Sequence, residues 1–398
     1  MHSNLQIFYF SSILLSLIFT GIGYIQQLLL ECDGDPALGK EIYDNLFMYD
    51  HFNTNSKTDI SSLITNARGL EYPVAFLNHA AFGKAYDSCT RLSIQLRRFA
   101  DQHSDLFYDQ LLMPLLKHSY NVCADFFELN DSKNCVLVPN CTIGMKAIMD
   151  KLLLKKASTV YHGNKMQQLG DNDIVHVGYL SPIYGATKNL LKSYALDIPS
   201  RIKLTEIEPE NALFQEDPSL ILKALDKATT ESGSNVSILL CDEIASQTGR
   251  ILPLLEIAEY CEKRNIILVV DGTQSFEFGN SKIEKVDYWV MSTHKWISNV
   301  KTCGVVMWSD KVDCPDPLAV SFGYFNQNVQ DRFLWAGMMD SYISYIVLAK
   351  ALQMRRRFGE TQINHANELL RKGLEDVLQV KPLLESKGRI FFKYQVIF

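Results

Sequence analysis

Ile266-Ile267-Leu268-Val269-Val270-Asp271-Gly272-Thr273-Gln274-Ser275 and, further along, Tyr288-Trp289-Val290-Met291-Ser292-Thr293-His294-Lys295 decide how this 398-residue chain is read. Each is a short, unbroken apolar run rich in β-branched and aromatic residues, the pattern of a strand buried on both faces. Each then delivers a polar group at its C-terminal end. In open α/β sheets that edge is where ligands sit. The interval between Asp271 and Lys295 leaves room for one short helix or loop before the second strand.

An acid and an amine at one sheet edge match what a protein supplies to pyridoxal phosphate. That cofactor withdraws electrons best with its ring nitrogen protonated, and a buried carboxylate beside the nitrogen favours the charged ring. Lysine offers a primary amine on a flexible stem. Burial or a neighbouring cation lowers its pKa, so it can attack an aldehyde and later carry protons. Alone, an Asp closing a strand is commonly a turn former, and a Lys at a strand end a solvated charge. The polar residues around both turn the reading toward chemistry.

The same alternation extends outward. Residues 88–127 have helical periodicity, interrupted near His103-Ser104-Asp105 and at Pro114. Cys135-Val136-Leu137-Val138-Pro139 reads as a strand, followed by Asn140-Cys141-Thr142-Ile143-Gly144 and a helix over 145–154. Strands are expected over 173–177 and 235–241, a helix over 254–263, and a last strand over 303–308 that doubles back after the lysine. Strands alternating with helices predict a mainly parallel sheet covered on both faces.

The loops between these elements carry the remaining candidates. The backbone N–H groups of Cys141 and Thr142 and the Thr142 hydroxyl lie where a helix head can bind an anion; the plainer reading is a helix cap by Thr142. Ser292 and His294 can hold the same phosphate from the other side. Tyr184, in Ile183-Tyr184-Gly185-Ala186, can stack on a pyridine ring. Gln274 and Ser246 can hydrogen-bond its 3-hydroxyl, although turn or capping roles would equally explain them.

Composition narrows the classes. The chain is 47% hydrophobic with a net charge of −6 and no long basic run, which argues against a nucleic-acid partner. Arg355-Arg356-Arg357 reads as a solvated helix face. Nine scattered cysteines without a CxxC pair fit reduced thiols in the core, not a disulfide framework, and no metal site is read. Residues 1–30 contain no Asp, Glu, Lys or Arg, and residues 5–30 are long enough to span a bilayer. They read as a membrane anchor, an atypical signal or a foreign extension, with the signal least favoured. The catalytic part is expected in the cytoplasm, tethered if 5–30 is an anchor.

Taken in order, Asn-x-Thr, Tyr-Gly-Ala, Ser-x-Thr-Gly, Asp-x-x-Gln-Ser and Ser-x-His-Lys resemble the class V aminotransferase family of pyridoxal enzymes, fold type I. Leu77-Asn78-His79-Ala80-Ala81-Phe82-Gly83 and Asp242-Glu243-Ile244-Ala245-Ser246 are most similar to its isopenicillin N epimerase-like and hercynylcysteine sulfoxide lyase-like branch. The resemblance covers residues 72–351. It implies an α/β large domain over 72–340, after a linker over 31–71, and an incomplete C-terminal small domain over 341–398. It implies a homodimer with sites at the subunit interface and a small amino-acid substrate, with sulfur-containing amino acids among the candidates. It implies that Lys295 joins the cofactor as a Schiff base and moves the substrate α-proton. Asp271 would face the ring nitrogen, with Thr142, Ser292 and His294 around the phosphate and Asn78 and His79 lining the substrate side.

Three departures are expected to matter. Trp335-Ala336-Gly337-Met338-Met339-Asp340 stands where the family usually has Trp-x-Gly-Thr-Arg-Asp, and Met338 cannot donate to a partner's phosphate. Glu243 replaces the usual histidine. The chain stops at Phe398, before the family's carboxylate-gripping arginine, and Arg389 lies in an unmatched context. The expected activity is carbon–sulfur lysis or epimerisation. The alternatives are a pyridoxal-binding protein impaired in turnover, an aminotransferase, or a cysteine desulfurase, for which Cys314 is the only loop candidate and Cys303 reads as core.

Overall fold

A computed structural model describes residues 80–378 except 130, 155–158, 163–164, 169–173, 210–217, 231–235, 276–283 and 337–338. The apolar residues 5–30, the linker, Asn78, His79, Met338 and Arg389 lie outside the described residues. In chain order the elements are α1 (Asp87–Gln102), a π-helical turn (Leu106–Leu111), α2 (Leu112–Phe126), β1 (Cys135–Val138), α3 (Cys141–Leu153), β2 (Thr159–His162), β3 (Lys165–Gln168), β4 (Val175–Leu180), α4 (Gly185–Asp197) and β5 (Ile202–Ile207). There follow α5 (Pro218–Thr230), β6 (Ile238–Asp242), α6 (Leu254–Arg264), β7 (Ile267–Asp271), β8 (Tyr288–Ser292), β9 (Gly304–Trp308), α7 (Val329–Ala336), α8 (Met339–Phe358) and α9 (Glu360–Leu378).

Seven strands form one sheet in the order β1-β9-β8-β7-β6-β4-β5. β5, β4, β6, β7 and β8 are mutually parallel. β9 runs antiparallel to both β8 and β1, so β1 points the same way as β8. The fold is therefore α/β with a mostly parallel sheet, and the chain does double back after the lysine. β2 and β3 form a separate antiparallel hairpin. Leu239, Cys241, Leu268 and Val270 face α1, α2, α6 and α8. Ile238, Leu240, Ile267, Val269 and Val290 face α3, α4 and α7. Strands buried on both faces cannot alternate apolar with polar, which is why they read as continuous apolar runs. Among the described residues, no helix is long and apolar enough to cross a membrane.

Several boundaries differ from expectation. The break near His103 is present, but Pro114 does not interrupt α2. The turn before it is π-helical, with the Leu112 N–H reaching the Phe107 carbonyl, and this wider turn accommodates a proline that has no N–H to give. α3 begins at Cys141, not 145, because the Asn140 side chain accepts the Ile143 N–H at 2.9 Å and caps the helix itself. Thr142 is therefore not the cap. Nor is Arg355 a solvated residue. It is buried, bonded to the Trp296 carbonyl at 3.2 Å and paired with Glu360 at 2.7 Å. Arg356, beside it, is exposed and pairs with Asp125.

Candidate active site

β6 and β7 end in register, with Asp242 opposite Asp271. Strand alternation decides where their side chains go. Ile238 and Leu240 on β6, Ile267 and Val269 on β7, and Val290 on β8 all face the α3–α4 side. Two residues on, Asp242, Asp271 and Ser292 emerge on that same face. β1 feeds α3 there, and β4 feeds the turn through Tyr184 into α4. The strand ends thus gather the candidates at one edge.

Lys295 is not the last residue of β8. The strand stops at Ser292, and Thr293 to Thr302 form a compact turn. The turn is held from within. The Thr293 N–H and hydroxyl both donate to the Cys303 carbonyl at 3.0 Å, and the Asn299 amide bridges Thr293 Oγ1 and the Ser344 carbonyl at 3.1 Å each. Gly83 braces it from outside. Its φ is +62°, and a Cβ there would lie 1.7 Å from the His294 carbonyl oxygen, so only glycine lets the 80–83 segment touch the lysine's backbone.

The Lys295 side chain is half-buried, with Nζ 5.8 Å from the centre of the Tyr184 ring. Burial lowers its proton affinity, while Asp271, Cys141 and Asp242 pull the other way. A larger share of amine is then free to act as nucleophile or base than on an exposed lysine. Asp271 is buried and accepts the Thr273 N–H at 2.9 Å. The Thr273 hydroxyl in turn accepts the Ser292 N–H at 3.1 Å, tying the acid's turn to the lysine's strand.

At the head of α3 the Cys141 N–H donates to Ser292 Oγ at 3.0 Å. Gly304 permits this approach, since a Cβ on it would meet the Met291 carbonyl oxygen and Asn140 within 3.0 Å. Thr142 is exposed at the helix head. His294 is half-buried, and Nδ1 has no hydrogen-bond partner among the described residues. Burial, then the Lys295 and Lys301 charges, push it down to about 4, so the imidazole is neutral near neutral pH. The Cys141 thiol is pushed well up, by burial first and the Asp271 charge second, and is no thiolate.

Gln274 is placed differently from expectation. Its Nε2 donates to the Ala80 carbonyl at 2.9 Å and its Oε1 accepts from Trp296 Nε1 at 2.8 Å. Both ends of the amide already join the 80–83 segment to the lysine turn. Ser246 is half-buried in the loop after β6. Asp242, next to it, was missed as a site residue, although the run Ile238-Leu239-Leu240-Cys241-Asp242 has the same form as the run ending in Asp271. Glu243, in the position of the usual histidine, is buried and hydrogen-bonded by the Ser275 hydroxyl.

This set suits pyridoxal phosphate on its own chemistry. The head of a 13-residue helix, a serine and a neutral histidine with an orphan ring nitrogen offer donors for a phosphate. An aromatic ring, an acid and an amine, the groups a pyridine cofactor calls for, lie at the same sheet edge. Among the described residues no group of His, Cys, Asp and Glu could hold a metal ion.

Comparison with known proteins agrees. Residues 213–388 match the family described as Aminotransferase class-V. An L-cysteine desulfhydrase-like protein of Epichloe uncinata is 24% identical over 64% of this chain and 58% of its own length. Isopenicillin N epimerase of Amycolatopsis lactamdurans is 29% identical over 26% of each chain. Hercynylcysteine sulfoxide lyase of Schizosaccharomyces pombe is 23% identical over 46% of this chain and 49% of its own. The chain thus spans at most little more than half the length of these relatives. A solved structure of the cystine C–S lyase C-DES, in complex with its product cysteine persulfide, superposes with a TM-score of 0.62 at 18% identity, covering 79% of this chain and 82% of that one. Residues 213–388 are thus similar in sequence to the class V aminotransferases, and the sheet has the fold of the C-DES structure.

Proposed function

We propose that the chain is a pyridoxal-phosphate-dependent carbon–sulfur lyase acting on a sulfur-containing amino acid. The observation that carries the reading is Lys295. Its half-buried amine, with lowered proton affinity, sits beside the Tyr184 ring and within the influence of two buried acids. When bound, the cofactor would supply the electron sink that tolerates loss of an α-proton. Thr142, Cys141, Ser292 and His294 would hold its phosphate, Tyr184 would cover its ring, and Asp271 would keep its ring nitrogen protonated. The Lys295 amine then takes the substrate α-proton. With that electron sink the β-carbon–sulfur bond would break with its electron pair going to sulfur, which would leave, once protonated, as a thiol, a persulfide or, from a sulfoxide, a sulfenic acid. Water releases the rest as pyruvate and ammonia. The C-DES and hercynylcysteine sulfoxide lyase names support this chemistry for relatives of the fold.

The cysteines favour lysis over desulfuration. Desulfuration needs a thiol on a loop that can reach the substrate. Cys303 is fully buried under the lysine turn. Cys314 follows Asp313, whose carbonyl accepts the Tyr288 hydroxyl at 2.6 Å. Tyr288 begins β8, so Cys314 lies at the opposite end of the strand from Lys295. No other cysteine among the described residues is on an exposed loop.

The test is a spectral titration followed by product analysis. Adding pyridoxal phosphate should produce the visible band of a cofactor–lysine linkage, lost in Lys295→Ala. Cysteine, cystine and cysteine sulfoxides should yield pyruvate. A band without pyruvate, but with an epimer or a keto acid that keeps its sulfur, rejects lysis and assigns the α-proton to another fate. No band on folded protein ends the pyridoxal reading.

A further inference from the structure

Two buried acids stand side by side at this edge, and one has no assigned task. Asp242 and Asp271 are register partners on adjacent parallel strands, pointing to the same face. Asp242 is 3% exposed and Asp271 6%. The Asp242 carboxylate accepts the backbone N–H groups of Tyr184 and Ser246. Its Oδ1 has no hydrogen-bond partner among the described residues. An ionised carboxylate cannot cheaply keep a bare, buried oxygen next to a second carboxylate.

We infer that Asp242 is a positioning residue of the site, neutral in the working protein, which fixes Tyr184 and Ser246 through their backbones. The pair then carries a single negative charge. The surrounding groups agree with that count. Lys295 faces the pair from the lysine turn and Cys141 from α3, while Cys241, beside Asp242 in the strand, points to the other face of the sheet; both thiols are themselves held protonated by burial. Burial first, and the Asp271 charge second, push Asp242 well above the usual carboxylate range, against the two N–H groups and Lys295. The functional consequence lies at Lys295. A charge on Asp242 would help hold its amine protonated, whereas a neutral Asp242 leaves the amine more reactive.

The inference relies on the pyridoxal reading for what the site holds, but the proton itself can be sought without the cofactor. Infrared difference spectra of cofactor-free protein, wild type minus Asp242→Asn, should show the C=O stretch of a protonated carboxylic acid near about pH 7. In Asp271→Asn, which removes the like charge, the same band should titrate away at a lower pH. Asparagine mimics the neutral acid, so Asp242→Asn should bind pyridoxal phosphate within about threefold of wild type. Asp242→Ala leaves the Tyr184 and Ser246 N–H groups without their acceptor and should bind about tenfold more weakly. A wild-type spectrum without the band, or a band indifferent to Asp271→Asn, overturns the neutral Asp242. An alanine variant that folds and binds like wild type overturns the positioning role. If wild type binds no cofactor, the pyridoxal reading falls, while the infrared result still decides the pair.

Discussion

Single residues in this fold are tuned mainly by burial, and Asp287 shows the consequence far from the site. It precedes β8, is 7% exposed, and its Oδ2 accepts the Leu268 N–H at 2.8 Å. Burial pushes it up to about 6, against the Leu268 N–H and the Lys311 charge. A carboxyl whose folded pKa lies above its unfolded one contributes most to stability at low pH. That contribution is lost as the pH rises through the folded value. The relevant window runs from about pH 4 to about pH 6, and above it the protein carries the whole cost of an ionised, buried acid, on the order of 2–3 kcal/mol. Asn can keep the bond to Leu268 and has no charge to bury. Asp287→Asn should therefore unfold at higher denaturant than wild type by about 1–2 kcal/mol near pH 8, with the gain gone near pH 4. A gain that is the same at both values would reject the assignment.

At the scale of elements, the lysine turn is clamped by helices distant in sequence. α8 packs on α1 and α2, and its Arg355 reaches the Trp296 carbonyl while forming a two-pronged pair with Glu360 at the start of α9. Tyr86, just before α1, donates its N–H to the Ser298 carbonyl at 3.0 Å from the other side. Trp296 passes the constraint to Gln274 and so to the turn after Asp271. Removing Arg355 leaves the Trp296 carbonyl without that donor and breaks a pair whose partner, Glu360, is partly exposed, which costs about 1–3 kcal/mol. Arg355→Ala should lower stability by about 1–3 kcal/mol and weaken cofactor binding through the lysine turn. Equilibrium denaturation and cofactor titration check the two parts, and unchanged binding in a folded variant would show that the turn needs no clamp. This clamp was not legible in the sequence. Arg355-Arg356-Arg357 reads as surface because nothing local distinguishes the arginine that turns inward. β5 was illegible for a related reason. Ile202-Lys203-Leu204-Thr205-Glu206-Ile207 is an edge strand paired only with β4, so its charged residues dilute the apolar signal. The central strands β6 to β9, buried on both faces, were legible as unbroken apolar runs. So were Asp271 and Ser292 as polar closures of such runs, whereas Asp242, which closes β6 in the same way, was passed over. What the runs could not show was the offset of Lys295 beyond its strand, or that Gln274 is engaged by Ala80 and Trp296. Both depend on contacts between segments that periodicity does not encode.

For the whole molecule the question is what the surface between β9 and α7 is for. Phe322 and Phe325 are 92% and 90% exposed and Val320 73%, within a few residues of one another, with Leu318 also exposed. Single exposed apolar residues are ordinary, but several large ones on one short segment mark a surface that is covered in use. If a second copy of this chain is the cover, two-fold symmetry lets the same patch serve both protomers. Two buried aromatic anchors in such an interface would each contribute about 2 kcal/mol or more. Phe322→Glu combined with Phe325→Glu should therefore raise the dimer dissociation constant by about a hundredfold or more, with the circular dichroism of the fold unchanged. Sedimentation equilibrium reads this directly. Wild type should sediment as a dimer at micromolar concentration and the double variant as a monomer. If wild type is itself a monomer there, or if the two glutamates leave the dimer intact, this segment is not the interface.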